Sequence, residues 1–212
     1  GVVANQMLKE FSLRTGVQIR IQKGILPGMG LGSSAASAAA VAYGLNLMFN
    51  LELDNKQLIR LAAKGEVASA GFEHADNVSA AICGDFAIVK SYNPLEIVNL
   101  KSPPNMEVCV AFPRIATPVS KTEKARLVVS KLVPMEKVVQ NVGWAAAMAS
   151  GFAIGDVDLI GQSMLDAIVE PARAFLIPGY QQVRENALKA GACGVAISGA
   201  GPAMIAIANK KK

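Results

Sequence analysis

From Gly24 to Leu51 the chain carries no charged residue, and few arrangements can hold such a stretch. Its length would cross a bilayer. Its composition argues for another solution. Pro27, Gly24, Gly28, Gly30, Gly32, three serines, Asn46 and Asn50 interrupt it, and alanine dominates the remainder. Residues this small let backbones approach closely. The segment is therefore expected to pack inside a globular protein, with no membrane span.

The glycines crowd into LPGMGLGSS, between two patterns of different period. VQIRIQK (17–23) alternates apolar and polar residues and predicts a strand, whereas Ala35 to Phe49 reads as a helix. A glycine loop that opens directly into a helix offers unpaired N–H groups and the positive end of the helix dipole, which together make an anion cradle. Ser33 and Ser34 add hydroxyls that can reach a phosphate or a metal on it. Two familiar loops do not fit. Walker A requires a lysine before the serine, and the dinucleotide fingerprint requires GxGxxG where this chain has GxGxG. A plain tight turn is the alternative, and the paired serines favour phosphate.

The rest of the chain orders itself around that loop. Residues 3–12 read as the end of an amphipathic helix. Asp54 and Asn55 are N-cap candidates for a helix over 55–70 whose apolar face is Leu58, Ile59, Leu61, Ala62 and Ala63. HADNVSAA reads as a loop or a short turn of helix. Strands are predicted at 85–91, 96–100 and 106–113, and helices at 120–129, 135–152, 156–168 and 181–190. Pro171 and Pro178 bracket a break. Residues 194–208 form two strands around a glycine turn. Strands are grouped and do not alternate strictly with helices, which makes the fold class α+β.

Composition bounds the function. Apolar residues are 52% of the 212, enough for a sizeable core and too many for disorder. Charged residues are only 17%, below the usual ~25%. This length means one large domain or two small ones. Cys83, Cys109 and Cys193 are scattered in apolar contexts. They are expected to be core thiols in a reducing, cytoplasmic setting, with no disulfide scaffold or zinc site. The net charge is +5, but no basic run is interleaved with aromatics, so a nucleic-acid partner has no support. A mildly positive field suits an anionic nucleotide instead. Asp156 and Asp158 read as capping or surface residues. The chain begins at Gly1 in what reads as mid-helix, so it is expected to be a fragment lacking its native start.

LPGMGLGSSAASAAA (26–40) resembles the nucleotide loop of the GHMP kinases, and ISGAGPAMIAI (197–207) resembles a second motif of that family. GEVASAGFEHADNVSAAICGDF (65–86), TEKAR (122–126) and EPARAFLIPGY (170–180) are similar to segments of its homoserine kinase branch. The resemblance runs from about residue 17 to 208. It implies the two-domain GHMP architecture: a ribosomal S5 domain 2-like, nucleotide-binding domain over 1–100 and a ferredoxin-like domain over 101–212, each incomplete. It also implies transfer of the ATP γ-phosphoryl group to the side-chain hydroxyl of L-homoserine, giving O-phospho-L-homoserine on the route to threonine. Other mevalonate-type GHMP kinases and a non-catalytic ligand-binding member of the fold are the alternatives. Homodimers are common in the family.

The same resemblance implies roles for residues. Pro27, Gly28, Met29, Gly30, Leu31, Gly32, Ser33, Ser34 and Ala35 would hold ATP, and Ser34 with Glu66 would hold Mg²⁺. Glu66 lies on the flank of its helix's apolar face, where a carboxylate needs a partner. Glu66 and Asn77 would serve the chemistry. His74, the only histidine, would contact the amino-acid substrate, and Arg126 and Arg173 its carboxylate. Gly199, Ala200 and Gly201 would support the nucleotide loop. Three residues depart from the family pattern: Met29 and Ala200 in the two glycine motifs, and Asp85 where a second glycine is usual.

Overall fold

A computed structural model describes residues 1–70, 74–114 and 125–210, without the side chains of 66–70. The described chain forms two compact units. The first comprises Gly1–Pro27 and Gly32–Leu100, the second Gly28–Leu31 and Lys101 onward.

Four helices and a hairpin build the first unit: α1 (Val2–Glu10), α2 (Ser33–Met48), α3 (Asn55–Ala70), α4 (Asp76–Cys83), β1 (Phe86–Tyr92) and β2 (Leu95–Leu100). α3 starts where the sequence says it should. The Asp54 carboxylate accepts the Gln57 N–H at 2.7 Å and the Gln57 side chain accepts the Asp54 N–H at 2.9 Å, a reciprocal cap. The predicted apolar face of α3 is buried in full. It packs on the small-residue face of α2, on Ala35, Ala38 and Ala42, and on Met7 of α1. Gly65 makes that closeness possible, since a Cβ there would lie 2.5 Å from Val3. The charge-free stretch of the sequence is thus a loop followed by a helix, Ser33–Met48, with buried alanines. Among the described residues no helix is long and apolar enough to cross a membrane.

The second unit is β3 (Met106–Ala111), α5 (Met135–Ile154), α6 (Val157–Gln162), α7 (Val169–Ala174), α8 (Tyr180–Lys189), β4 (Gly194–Ile197) and β5 (Met204–Asn209). Its sheet has the antiparallel order β3-β5-β4. The register runs Met106 opposite Asn209 and Ile197 opposite Met204. α5 ends at Gly155 in the left-handed conformation, and Asp156 caps α6 by accepting the Leu159 N–H at 3.0 Å. Val157 and Ile160 of α6 are buried in this unit, as are Val195, Met204 and Ile207 of the sheet.

Four expectations fail. The strand predicted at 17–23 has no ladder partner among the described residues, and Ile19 and Ile21 are exposed. Alternation proposes a strand, but only a hydrogen-bonded neighbour makes one. The helix predicted over 156–168 stops at Gln162. The ladder tightens and ends there, the N–H of Met164 going to Gly161 O and that of Leu165 to Ser163 O. Beyond it the N–H of Ala167 goes to the Asn141 side chain and those of Ile168, Val169 and Glu170 to Asp166, which starts a new helix in place of the old one. Only the second half of the break predicted between Pro171 and Pro178 is found, since turns follow at 175–179 but the chain from Pro171 to Ala174 belongs to α7. Pro171 sits in its first turn, where a missing N–H costs nothing. Cys109 is exposed on β3 and is no core thiol, while Cys83 and Cys193 are half-buried.

Candidate functional site

In the second unit the glycine loop is fastened to the turn between β4 and β5. The turn closes on itself: Ser198 N–H donates to Ala203 O at 2.9 Å, and Gly201 N–H to Ser198 O at 2.8 Å. The loop then docks on it. Ala203 N–H donates to Met29 O at 3.1 Å, and the Ser198 hydroxyl donates to Gly30 O at 3.0 Å. No side chain fits between them. Gly30 has φ +90°, and a Cβ there would lie 2.0 Å from Ser198 O and 2.8 Å from Gly201 O. A Cβ on Gly199 would lie 2.9 Å from Gly30 O. The two glycine motifs are therefore one mechanical object.

In the first unit Gly32 is the N-cap of α2, with φ 67°. No side chain caps the helix and no acidic residue stands in its first turn. Its leading N–H groups keep their positive potential for an anion. Buried Ser33 serves the frame: its hydroxyl donates to Ile25 O at 2.8 Å. Exposed Ser34 stands beside it on the first turn. Lys23 brings a cation to the same place, donating to Ser33 O at 3.0 Å and to Ser33 Oγ at 3.2 Å. Sequence reasoning missed Lys23. It looked for a lysine just before the serines, and this one arrives from ten residues upstream. Asn77, in the first turn of α4, lies against Gly32. A Cβ on Gly32 would be 3.2 Å from Asn77 Oδ1. The structure thus brings Asn77 to the start of α2. His74 is half-buried just before α4. Glu66 lies in α3, but its side chain falls outside the described residues, as does most of the TEKAR segment.

The two arginines fall in the second unit. Arg173, on α7, donates from Nε to Ala125 O at 2.8 Å and from Nη1 to Gly199 O at 3.2 Å. Burial pulls its guanidinium below the usual value. The like charge of Arg126 adds to that, and Asp166 opposes it. The arginines predicted to share an anion are therefore electrostatic neighbours. Asp166 is held in place in turn. Burial alone would raise its carboxyl, but the Asn141 amide at 2.9 Å and the N–H groups of 168–170 outweigh that and hold it below the ordinary carboxylate value. Beside it, burial pushes Glu170 up, although the Tyr180 hydroxyl donates to it at 2.6 Å. Burial and that carboxylate push Tyr180 up as well. Sequence reasoning did not find Asp166, Asn141, Glu170 or Tyr180, and only the Glu-Pro-x-Arg resemblance pointed to their neighbourhood.

These features match known proteins. Residues 2–85 match the GHMP kinases N terminal domain and residues 147–212 the GHMP kinases C terminal domain. The chain is 48% identical over all 212 residues to a homoserine kinase of Methanococcus vannielii, covering 68% of that protein. The crystal structure of homoserine kinase from Cytophaga hutchinsonii superposes with a TM-score of 0.92 at 36% identity, over 99% of this chain and 66% of that one. The chain belongs to the GHMP kinases, within the homoserine kinase family. It is also 36% identical over 196 residues to a homoserine kinase of Chlorobaculum tepidum, covering 92% of this chain and 60% of that protein. This homoserine kinase family member spans about two thirds of the length of its relatives. The α+β GHMP architecture and the kinase class expected from the motifs are borne out.

Proposed function

We propose that this chain carries the activity of its family, transfer of the ATP γ-phosphoryl group to the side-chain hydroxyl of L-homoserine. The bond from the γ-phosphorus to the bridging oxygen of ADP breaks, a bond to the acceptor oxygen forms, and the hydroxyl proton is released to solvent. The product is O-phospho-L-homoserine, an intermediate toward threonine. One observation carries this reading. The loop has a backbone that excludes a Cβ at Gly30, and it runs directly into a helix start that no side chain caps.

Phosphoryl transfer asks for positioning and charge neutralisation more than for a strong base. Past Pro27, which has no N–H of its own, residues 28–35 supply N–H groups to the phosphates, with Lys23 adding positive charge at the start of α2. The hydroxyl of Ser34 and the carboxylate of Glu66 are the hard oxygen donors that Mg²⁺ takes, and few protein ligands suffice when phosphates complete the shell. When bound, Mg²⁺ neutralises charge on the phosphates. Asn77, beside Gly32, is suited to orient the acceptor hydroxyl. His74 contacts the amino-acid substrate, and Arg126 with Arg173 holds its carboxylate by the two-pronged geometry of guanidinium. Residues 1–100 and 101–212 act as the nucleotide-binding and C-terminal domains of a cytoplasmic homodimer.

The test is ADP release from ATP, Mg²⁺ and L-homoserine, beside a Glu66→Ala control. Homoserine-dependent turnover, lowered about 100-fold or more in the control, supports the reading. Turnover with mevalonate but not homoserine overturns the substrate. ATP binding with no turnover on any acceptor alcohol favours a ligand-binding role.

A further inference from the structure

Arg173, proposed above to hold the acceptor carboxylate, already makes two bonds to main-chain carbonyls in this structure. Its Nε holds the carbonyl of Ala125, the residue directly before Arg126. Its Nη1 holds the carbonyl of Gly199. Gly199 sits where a Cβ would strike Gly30 O at 2.9 Å, and its neighbour Ser198 donates to that same oxygen. One guanidinium therefore fastens the segment that carries Arg126 to the turn that seats the glycine loop. A guanidinium has five N–H groups in a rigid fork, and these bonds use two of them. The remaining edge can take a carboxylate end-on without releasing either carbonyl.

We infer that Arg173 is a positioning residue for the nucleotide loop, acting through Gly199, as well as a ligand of the acceptor carboxylate. This rests on the functional reading above and deepens it. The carbonyl of Gly199 points its negative end at a charged donor, and bonds of that kind are stronger than neutral ones. The loop is seated by the Ala203 N–H on Met29 O and the Ser198 hydroxyl on Gly30 O, across a gap that leaves no room for a Cβ at Gly30. Anything that lets the 198–203 turn drift loosens the loop with it. Acceptor occupancy fixes the same guanidinium more firmly, so the two substrates bind with positive coupling, and by linkage the coupling is reciprocal. Arg126 offers the contrast. It is the electrostatic neighbour of Arg173, whose own Nη1 is the group that holds Gly199 O.

The experiment is titration calorimetry of the full chain with ADP and Mg²⁺, with no acceptor present. The chains compared are unsubstituted, Arg173→Ala, Arg173→Lys and Arg126→Ala. The expected result is a Kd raised about tenfold in Arg173→Ala, the scale of one hydrogen bond from a charged donor. Arg173→Lys should show much the same loss, since a lysine keeps the charge but not the fork. Arg126→Ala should stay within about twofold of the unsubstituted chain. Stoichiometry separates this from simple misfolding. A partly unfolded sample lowers the number of sites and leaves the Kd of the remainder unchanged. ADP binding by Arg173→Ala and Arg173→Lys at the unsubstituted Kd overturns the inference while leaving the kinase reading intact. An equal loss in Arg126→Ala also overturns it, because general depletion of positive charge would then explain the effect. Failure of the unsubstituted chain to bind ADP overturns the nucleotide-loop reading and this inference together.

Discussion

Two of the close backbone contacts among the described residues of the second unit exist for different reasons. α6 lies on the start of β4 through Gly161 and Gly194. A Cβ on Gly194 would sit 2.0 Å from Gly161 O, and one on Gly161 would sit 2.4 Å from Cys193 Cβ. The glycine loop lies on the 198–203 turn through Gly30, at the same 2.0 Å to a carbonyl oxygen. Yet Gly30 also has φ +90°, whereas Gly161 and Gly194 do not need a left-handed backbone. The first contact requires only space. The second requires space and a conformation that L side chains avoid. The difference separates a contact that serves architecture from one that belongs to the candidate site. A helix pressed on a sheet gains buried area, while a loop held in a left-handed turn gains only a particular presentation of its N–H groups.

The contrast breaks most sharply at Gly194. Gly194→Ala forces a methyl group into a main-chain carbonyl of α6, with no flexible side chain to yield. It should cost about 3 kcal/mol or more. For a chain of this size that lowers the Tm by about 6–12 °C. Calorimetry checks it. A variant that melts within a degree of the parent would show that α6 can slide, and the contact would not be architectural.

Gly30→Ala should invert the balance. The same 2.0 Å clash is relieved by lifting the loop off its turn, which leaves sheet and helices in place. ADP affinity should fall about tenfold or more, and the Tm should fall less than for Gly194→Ala. Calorimetric and ADP-binding measurements on both variants decide the point. If both lose stability equally, the two contacts are one kind after all.

Ser198→Ala sharpens the second contact without a clash. It removes the hydroxyl that Gly30 O accepts and keeps the backbone seat. The expected loss is about 1 kcal/mol. It should appear as a few-fold weaker ADP affinity, with a fall in Tm of about 3 °C. An unchanged affinity would mean that main-chain contacts alone seat the loop.

These differences also set what was legible beforehand. The left-handed glycines of the loop and its seat are close in sequence, Gly28, Gly30 and Gly32 in one and Gly199 and Gly201 in the other, so GMGLGSS and SGAGP stood out as motifs. Gly161 and Gly194 did not. Each is a single glycine in an ordinary helix or strand pattern, and only the neighbouring element reveals the need. The cap at Asp54 and the buried face of α3 were legible because both are local. Lys23 was not, since its tie to Ser33 depends on where the chain before the loop comes to lie. Asp166 was hidden for a related reason. It reads as a residue of the predicted helix 156–168, and only the bonds from Asn141 on α5 and the N–H groups of 168–170 reveal that it starts a new helix. Arg173 was read for its charge, and its bonds to Ala125 and Gly199 could come only from coordinates.

A third case completes the comparison: conformation required, space free. Gly84 and Asp85 join α4 to β1 with φ +71° and +56°, and a Cβ on Gly84 meets nothing within 4 Å. Asp85 is the position where the sequence departs from a glycine usual in the resembled family. A left-handed aspartate is tolerated because its short polar side chain can bond locally, but it still carries part of the steric penalty of about 1–2 kcal/mol for an L residue there. Glycine removes that penalty and adds back about 0.5–1 kcal/mol of unfolded-chain entropy. The net gain for Asp85→Gly is therefore small, about 0.5 kcal/mol, or about 1–2 °C in Tm. ADP affinity should not move, because the bonds that seat the loop are made by Met29, Gly30, Ser198 and Ala203 and not by Gly84 or Asp85. A destabilised Asp85→Gly chain would show that the aspartate's own interactions outweigh its backbone strain. The space-only and conformation-only cases would then no longer bracket Gly30.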